Sequence, residues 1–320
     1  MRLRHLLHAA ATLVALLPAL AGAAPLGLVT IVDGSALALL RGSQRLAAGE
    51  GVALQADDIV RSGAGTRLAR LELADGTTLD LGPETELLLR PQALPGPRAA
   101  LLYLLRGWLK VGAAEATGIA TPQGDLARVA GHAVVRVTGR SMLVFAEAGR
   151  VELERDTLRD GDAWVRRDGG TGSVYKRPPA DLLEGLPRGF TDPLPRRSAR
   201  FAASPAAPGP AEEPAYAELA AWLNGEPPLR AAFVPRFAAR ARDPAFRRAL
   251  VAELRLHPEW DRTLFPEKYR PKPVPVARRA EPAASQPVAV AAPAADLQGP
   301  TSWPVDDRPV AWPAPPDAKE

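Results

Sequence analysis

Residues 49–89 read GEGVALQADDIVRSGAGTRLARLELADGTTLDLGPETELLL. A Gly-flanked turn leads into a two-aspartate corner, Asp57-Asp58, then a short strand, a Gly-rich turn and a longer strand. Leu68, Leu71 and Leu73, set around Arg70 and Glu72, carry the period-two alternation of a half-buried strand, which predicts apolar side chains on one face. Asp75-Gly76 between two such strands predicts a type I′ turn, in which both central residues take positive φ. The stretch is a run of hairpins.

The same grammar extends over residues 27–176, where short strands are separated by Gly, Asp-Gly or Pro. Asp33-Gly34, Asp160-Gly161 and Asp168-Gly169 punctuate strand ends in the manner of Asp75-Gly76. This spacing predicts a mainly β fold, a stacked antiparallel β-sandwich or a β-solenoid-like domain. Pro91–Arg98, with three prolines, reads as an exposed loop between its halves. Tyr103, Trp108, Phe145 and Trp164 fall on predicted strands and read as core, with an exposed aromatic platform as the alternative.

Residues 177–210, rich in Pro, Ala and Arg, read as an extended linker. A small helical region follows over 211–270. Glu212–Leu223 places Tyr216, Leu219, Ala220 and Leu223 on one face and stops at Asn224-Gly225. Pro228–Ala241 carries Leu229, Phe233 and Phe237 at helical spacing, with Pro235 as a candidate kink. Asp243-Pro244 is an N-cap followed by Pro at the first helical position. So small a helical region is expected to dock on the β domain. Residues 271–320, full of Pro and Ala with few aliphatics, read as a disordered tail.

Residues 1–23 read as a signal peptide. Arg2 and Arg4 open it, Leu13–Leu20 is apolar, and Ala21-Gly22-Ala23 has the small residues of a cleavage site. Pro18 interrupts an apolar run already too short for a spanning helix. The mature chain, from about Ala24, is therefore expected to be exported, soluble or peripherally attached, with no transmembrane segment. Without residues 1–23 it keeps 38 basic against 36 acidic side chains. That balance points to no nucleic-acid partner. The absence of cysteine excludes disulfides, thiol catalysis and thiolate metal sites. The 35 Arg against 5 Lys are in keeping with a GC-rich genome.

Chemistry-bearing groups are sparse. His132 with Ser141 is the one pairing that suggests nucleophilic catalysis, yet no G-x-S-x-G elbow accompanies it, and Gly139-Arg140-Ser141 reads as a hairpin turn. His132 and His257 are the only histidines after residue 23, too few for a zinc site. Asp57-Asp58 lacks the ligand spacing of a calcium loop and reads as turn chemistry. No two carboxylates are singled out for glycoside cleavage, and Gly63-x-Gly65 opens no helix that could cradle phosphate. No catalytic, cofactor-binding or metal residue is assigned, and no cofactor is expected. In the tail, Trp303 and Trp312 lie in the segment from Ser302 to Pro313. Large aromatics in so polar a setting make these two the candidate partner-docking residues.

The 49–89 stretch closely resembles the FecR domain family of periplasmic proteins in bacterial signalling. The resemblance continues through Gly107-Trp108-Leu109-Lys110-Val111, through Ile119–Asp125 (IATPQGD), through Val129–Val135 (VAGHAVV, with His132 where the family generally has Thr) and through Leu158–Val165 (LRDGDAWV). It covers about residues 27–170. It implies a non-enzymatic periplasmic β domain that contacts another protein, an envelope or outer-membrane protein, in envelope signalling. Family members of the founding type are membrane-anchored sigma-factor regulators with a cytoplasmic arm. The leader-like start and the helical segment depart from that pattern and put direct anti-sigma activity and any iron link in doubt. A peptidoglycan- or glycan-binding envelope module is the alternative, and a hydrolase the remote one.

Overall fold

A computed structural model describes residues 24–90 and 101–271. The signal-peptide reading, the Pro91–Arg98 loop, the tail and both Trp303 and Trp312 lie outside the described residues.

The fold is mainly β, as expected. The first strands are β1 (Gly27–Gly34), β2 (Leu37–Arg41), β3 (Gln44–Ala48), β4 (Ala53–Leu54) and β5 (Ile59–Arg61). Next come β6 (Thr66–Leu73), β7 (Thr78–Leu81), β8 (Glu86–Leu89), β9 (Leu102–Gly112) and β10 (Thr117–Ala120). The last are β11 (Leu126–Thr138), β12 (Ser141–Leu153), β13 (Asp156–Leu158), β14 (Ala163–Arg166) and β15 (Ser173–Tyr175). They form one continuous sheet of 15 strands, antiparallel except where β10 runs parallel to β9.

β9 is the hub. Its first half pairs with β8 and its second half with β7 and β11. The handover falls at Gly107, whose φ is +99° and where a Cβ would stand 2.4 Å from the Thr85 backbone. Only glycine satisfies both conditions.

The sheet closes round a core of Leu, Val and Ile with Trp164 at one end. Its other face is also covered, so neighbouring residues on one strand serve different cores. Leu87 and Leu89 enter the interior, whereas Leu88 packs outward against the helices. Leu39 and Leu40, Val60 and Ile59, and Leu104 and Tyr103 divide the same way. The expectation that Leu68, Leu71 and Leu73 share a face needs correcting. Leu71 and Leu73 point inward, while Leu68 joins Trp108, Val134 and Phe190 outside. Strand side chains alternate strictly, so an even separation from Arg70 puts Leu68 on the Arg70 side.

The turn at Asp75-Gly76 is not type I′. Gly76 has φ +87°, but Asp75 is not among the positive-φ residues. Leu73 N donates to Thr77 O at 2.8 Å and Asp75 Oδ1 accepts from Thr77 N. This is a three-residue hairpin loop with glycine in the left-handed position. The double positive φ occurs instead at Asp168-Gly169, at +53° and +72°.

Residues 177–210 do not run free as an extended linker. They form α1 (Ala180–Gly185), a 3₁₀ turn at Arg188–Phe190 and α2 (Ser198–Ala202), laid along the outer face with Leu182 and Phe190 buried. Residues 206–212 then add to sheet edges: Ala206 N donates to Gly51 O, and Arg45 and Glu212 exchange backbone hydrogen bonds at 2.8 Å. That pairing delays the next helix, α3, to Tyr216–Leu223. α4 (Pro227–Phe237) accommodates Pro235 and tightens into a 3₁₀ turn at Ala238–Arg242. α5 (Pro244–Ala252) is capped as expected, Asp243 Oδ1 accepting from Phe246 N at 2.7 Å. A 3₁₀ turn at Pro258–Trp260, the one-turn helix α6 (Asp261–Leu264) and a 3₁₀ turn at Pro266–Tyr269 complete the described part.

Candidate functional site

The helical region is fastened to the β domain by apolar packing and by polar contacts, those of Arg236 among them. Trp222, Leu229, Phe233 and Phe237 share a cluster with Leu40, Ile59, Leu88 and Tyr103 of the sheet. Arg236 of α4 reaches over this contact. Its guanidinium donates to Leu40 O at 2.8 Å, to Asp57 O at 2.9 Å and to Gly42 O. Burial pushes the Arg236 pKa down, against the pull of the Asp57 and Asp58 charges.

The Asp57-Asp58 corner supports this junction. Asp58 is buried and grips Arg41 with both oxygens, at 2.9 and 2.6 Å, while also accepting from Gln55 N. Asp57 takes φ +62°, a conformation that aspartate tolerates better than most residues. Between corner and helix lies a groove of about 540 Å³ lined by Arg41, Asp57, Leu88, Leu229, Phe233 and Arg236. Its walls are mostly carbon, and the charged groups at its rim are held in place.

A second set of charges holds residues 190–198. Arg70, Asp80 and Lys110 stand opposite one another on β6, β7 and β9. Arg70 and Asp80 form a bidentate buried pair at 2.6 and 2.7 Å, and Arg70 also donates to Leu194 O at 2.7 Å. Lys110 donates to Phe190 O at 2.6 Å and pairs with Glu147 at 2.8 Å. Glu72 accepts from Arg197 N at 2.7 Å and Ser198 N at 3.1 Å. Burial alone would raise the Glu72 carboxyl, but these N–H groups outweigh it and hold its pKa below the usual range.

The structure does not bring His132 and Ser141 together. His132 is exposed on β11 opposite Gly112 and Ala148, whereas Ser141 sits at the far end of the β11–β12 hairpin opposite Thr138. Six strand residues separate these positions, about 20 Å. Ser141 Oγ accepts from Asp168 N at 3.2 Å. His257 is buried, with Nδ1 2.8 Å from the Asn224 amide and Nε2 3.0 Å from Leu250 O. Among the described residues no group of three His, Cys, Asp or Glu is arranged to hold a metal, and no helix is long and apolar enough to cross a membrane. Tyr103 and Trp164 are fully buried, Trp108 nearly so and Phe145 partly.

Sequence reasoning missed Arg236 and the Arg70–Asp80–Lys110 row. Neither has a local signature, because each is defined by backbone carbonyls or strands distant in the chain.

No family model matches the chain, and no curated protein does. Two crystal structures, at 2.50 and 1.65 Å, described as a "putative anti-sigma factor" from Parabacteroides distasonis are similar to part of it. The first has 17% identity, covers 40% of this chain and 64% of that one, and gives a TM-score of 0.32. The second has 17% identity, with coverages of 39% and 62% and a TM-score of 0.31. The match spans less than two thirds of those chains.

Proposed function

We propose that this chain is a non-catalytic FecR-domain-like protein of the periplasm that binds an apolar segment of an envelope or outer-membrane protein in envelope signalling. The observation that carries this reading is the groove between α4 and the Asp57-Asp58 corner. It is apolar, large enough for two or three side chains, and framed by groups that Arg236 and Asp58 hold rigid. The engagement of Arg70, Asp80, Lys110 and Glu72 in structural contacts supports a scaffold rather than a reaction centre. The leader-like residues 1–23 support export, and Trp303 and Trp312 supply a second, linear contact with the same partner.

A photocrosslinking residue at Ala232, exposed on the groove wall, tests this in the native envelope. Mass spectrometry should find one dominant protein adduct, lost when Pro235, exposed on the same wall, is changed to Asp and weakened by Trp303→Ala with Trp312→Ala. Adducts to peptidoglycan alone would replace this reading with the wall-binding one. A mature N-terminus other than about Ala24, or none in the periplasmic fraction, would remove its location.

A further inference from the structure

Among the buried and half-buried arginines of the sheet, Arg136 stands apart. Arg41, Arg61, Arg70 and Arg166 each meet a carboxylate, on Asp58, Glu86, Asp80 and Glu154 respectively. Arg136 meets none among the described residues and its guanidinium donates no hydrogen bond to them; its Nε is nevertheless shielded from solvent. It is not loose. Arg136 lies directly across from Trp108 on β9, with Cζ 4.8 Å from the indole centroid. The indole is itself held, since it is nearly buried against Leu68, Val134 and Phe190. Gly185 closes over the stack so tightly that a Cβ there would lie 3.1 Å from the indole and 3.3 Å from the guanidinium.

A guanidinium stacked in place, with no carboxylate and no hydrogen-bond acceptor among the described residues and a cavity beside it, leaves its donors open to an acceptor from outside. The cavity is about 320 Å³ and is lined by Glu84, Arg106, Trp108, Arg136, Thr138 and Gly139. Arg106 already shares Glu86 with Arg61, and Glu84 stands at the rim. The charge left for a ligand is that of about one guanidinium, which suits a monoanion better than a phosphate dianion. The planar fork of arginine matches the two oxygens of a carboxylate, and its prior stacking on Trp108 lowers the ordering cost.

We propose that this cavity binds a carboxylate, gripped by Arg136. It is a site apart from the α4 groove, and the two can fail independently. The carboxylate can belong to a peptide terminus or to an acidic side chain, which share this chemistry.

The test follows the Arg136 Nε–H resonance, identified by its loss in Arg136→Lys, in the full chain. Four probes are titrated: N-acetyl-Ala-Ala as the free acid, its C-terminal amide, N-acetyl-Asp N-methylamide and inorganic phosphate. A saturable shift with the free acid but not its amide is expected, and the aspartate derivative tells terminus from side chain. Arg136→Lys, followed through the backbone amides of Thr138 and Gly139 in the cavity wall because its own Nε–H is gone, keeps the charge but loses the fork, and should weaken binding on the order of tenfold with melting temperature unchanged. Glu84→Gln should tighten it by removing a like charge. No shift with either carboxylate, equal shifts with the amide, or phosphate binding as tightly would each overturn the proposal. So would a fall in melting temperature in Glu84→Gln accompanied by loss of the Nε–H signal, because Glu84 would then be the partner of Arg136.

Discussion

The Tyr103 hydroxyl donates to Glu226 Oε1 at 2.9 Å and so joins the hub strand β9 to the residue that precedes α4. The same ring lies 6.0 Å from Trp222 of α3, tilted by 50°. One side chain thus touches both helices that hold the helical region to the sheet. Tyr103→Phe keeps the ring and removes the bond to a charged acceptor, and should cost about 1–2 kcal/mol in urea unfolding. An unchanged midpoint would mean that Glu226 finds equal partners in water.

Trp164 fills the end of the main core with no exposed surface, and its Nε1 donates to Asp156 Oδ2 at 2.9 Å. Trp164→Ala should destabilise the chain by about 3–5 kcal/mol. A loss below about 1 kcal/mol would show that the surrounding strands collapse into the space.

Two glycines give a matched comparison. At Gly107 both the backbone angle and the Thr85 backbone forbid a methyl group, whereas at Gly63 nothing lies within 4 Å of the added carbon. Gly107→Ala should cost at least about 2–3 kcal/mol, while Gly63→Ala should stay within about 0.5 kcal/mol of the parent. Equal midpoints for the two would show that β9 does not need its left-handed residue.

Glu72 makes the attachment of residues 197–198 sensitive to acid. Its folded pKa lies below the unfolded carboxyl value of about 4.3. The stabilisation is therefore complete above that value and disappears as pH falls through the folded one. The melting-temperature gap between the parent and Glu72→Gln should be widest at neutral pH and close as the solution is acidified below pH of about 4. A gap of constant size down to pH 3 would show that the charge is not what holds the Arg197 and Ser198 amides.

The strands were legible because each carries its own period: Leu71 and Leu73 alternate with charged residues, and Asp-Gly pairs mark their ends. The covering of the outer face was also written, in runs such as Leu87-Leu88-Leu89, since unbroken apolar strands mark burial on both sides. What covers them was not readable. Phe190 and Leu182 sit singly among prolines, without a periodic neighbour, so composition made their segment look like a spacer. The sites were least readable of all. Arg236 and Arg136 differ from the other 33 arginines only in what the fold places beside them.

The sheet buried on both sides has a practical consequence for anyone cutting the gene. A fragment ending near Tyr175 would keep every strand but strip the cover from Leu40, Ile59, Leu88 and Tyr103 on one flank, and from Leu68, Trp108 and Val134 on another. Such a piece would present two greasy strips to its neighbours and clump on expression. The strand-rich half is therefore a poor portable module, and a version that keeps its cover must run at least through Leu264 and Phe265, the last residues of the helical cluster.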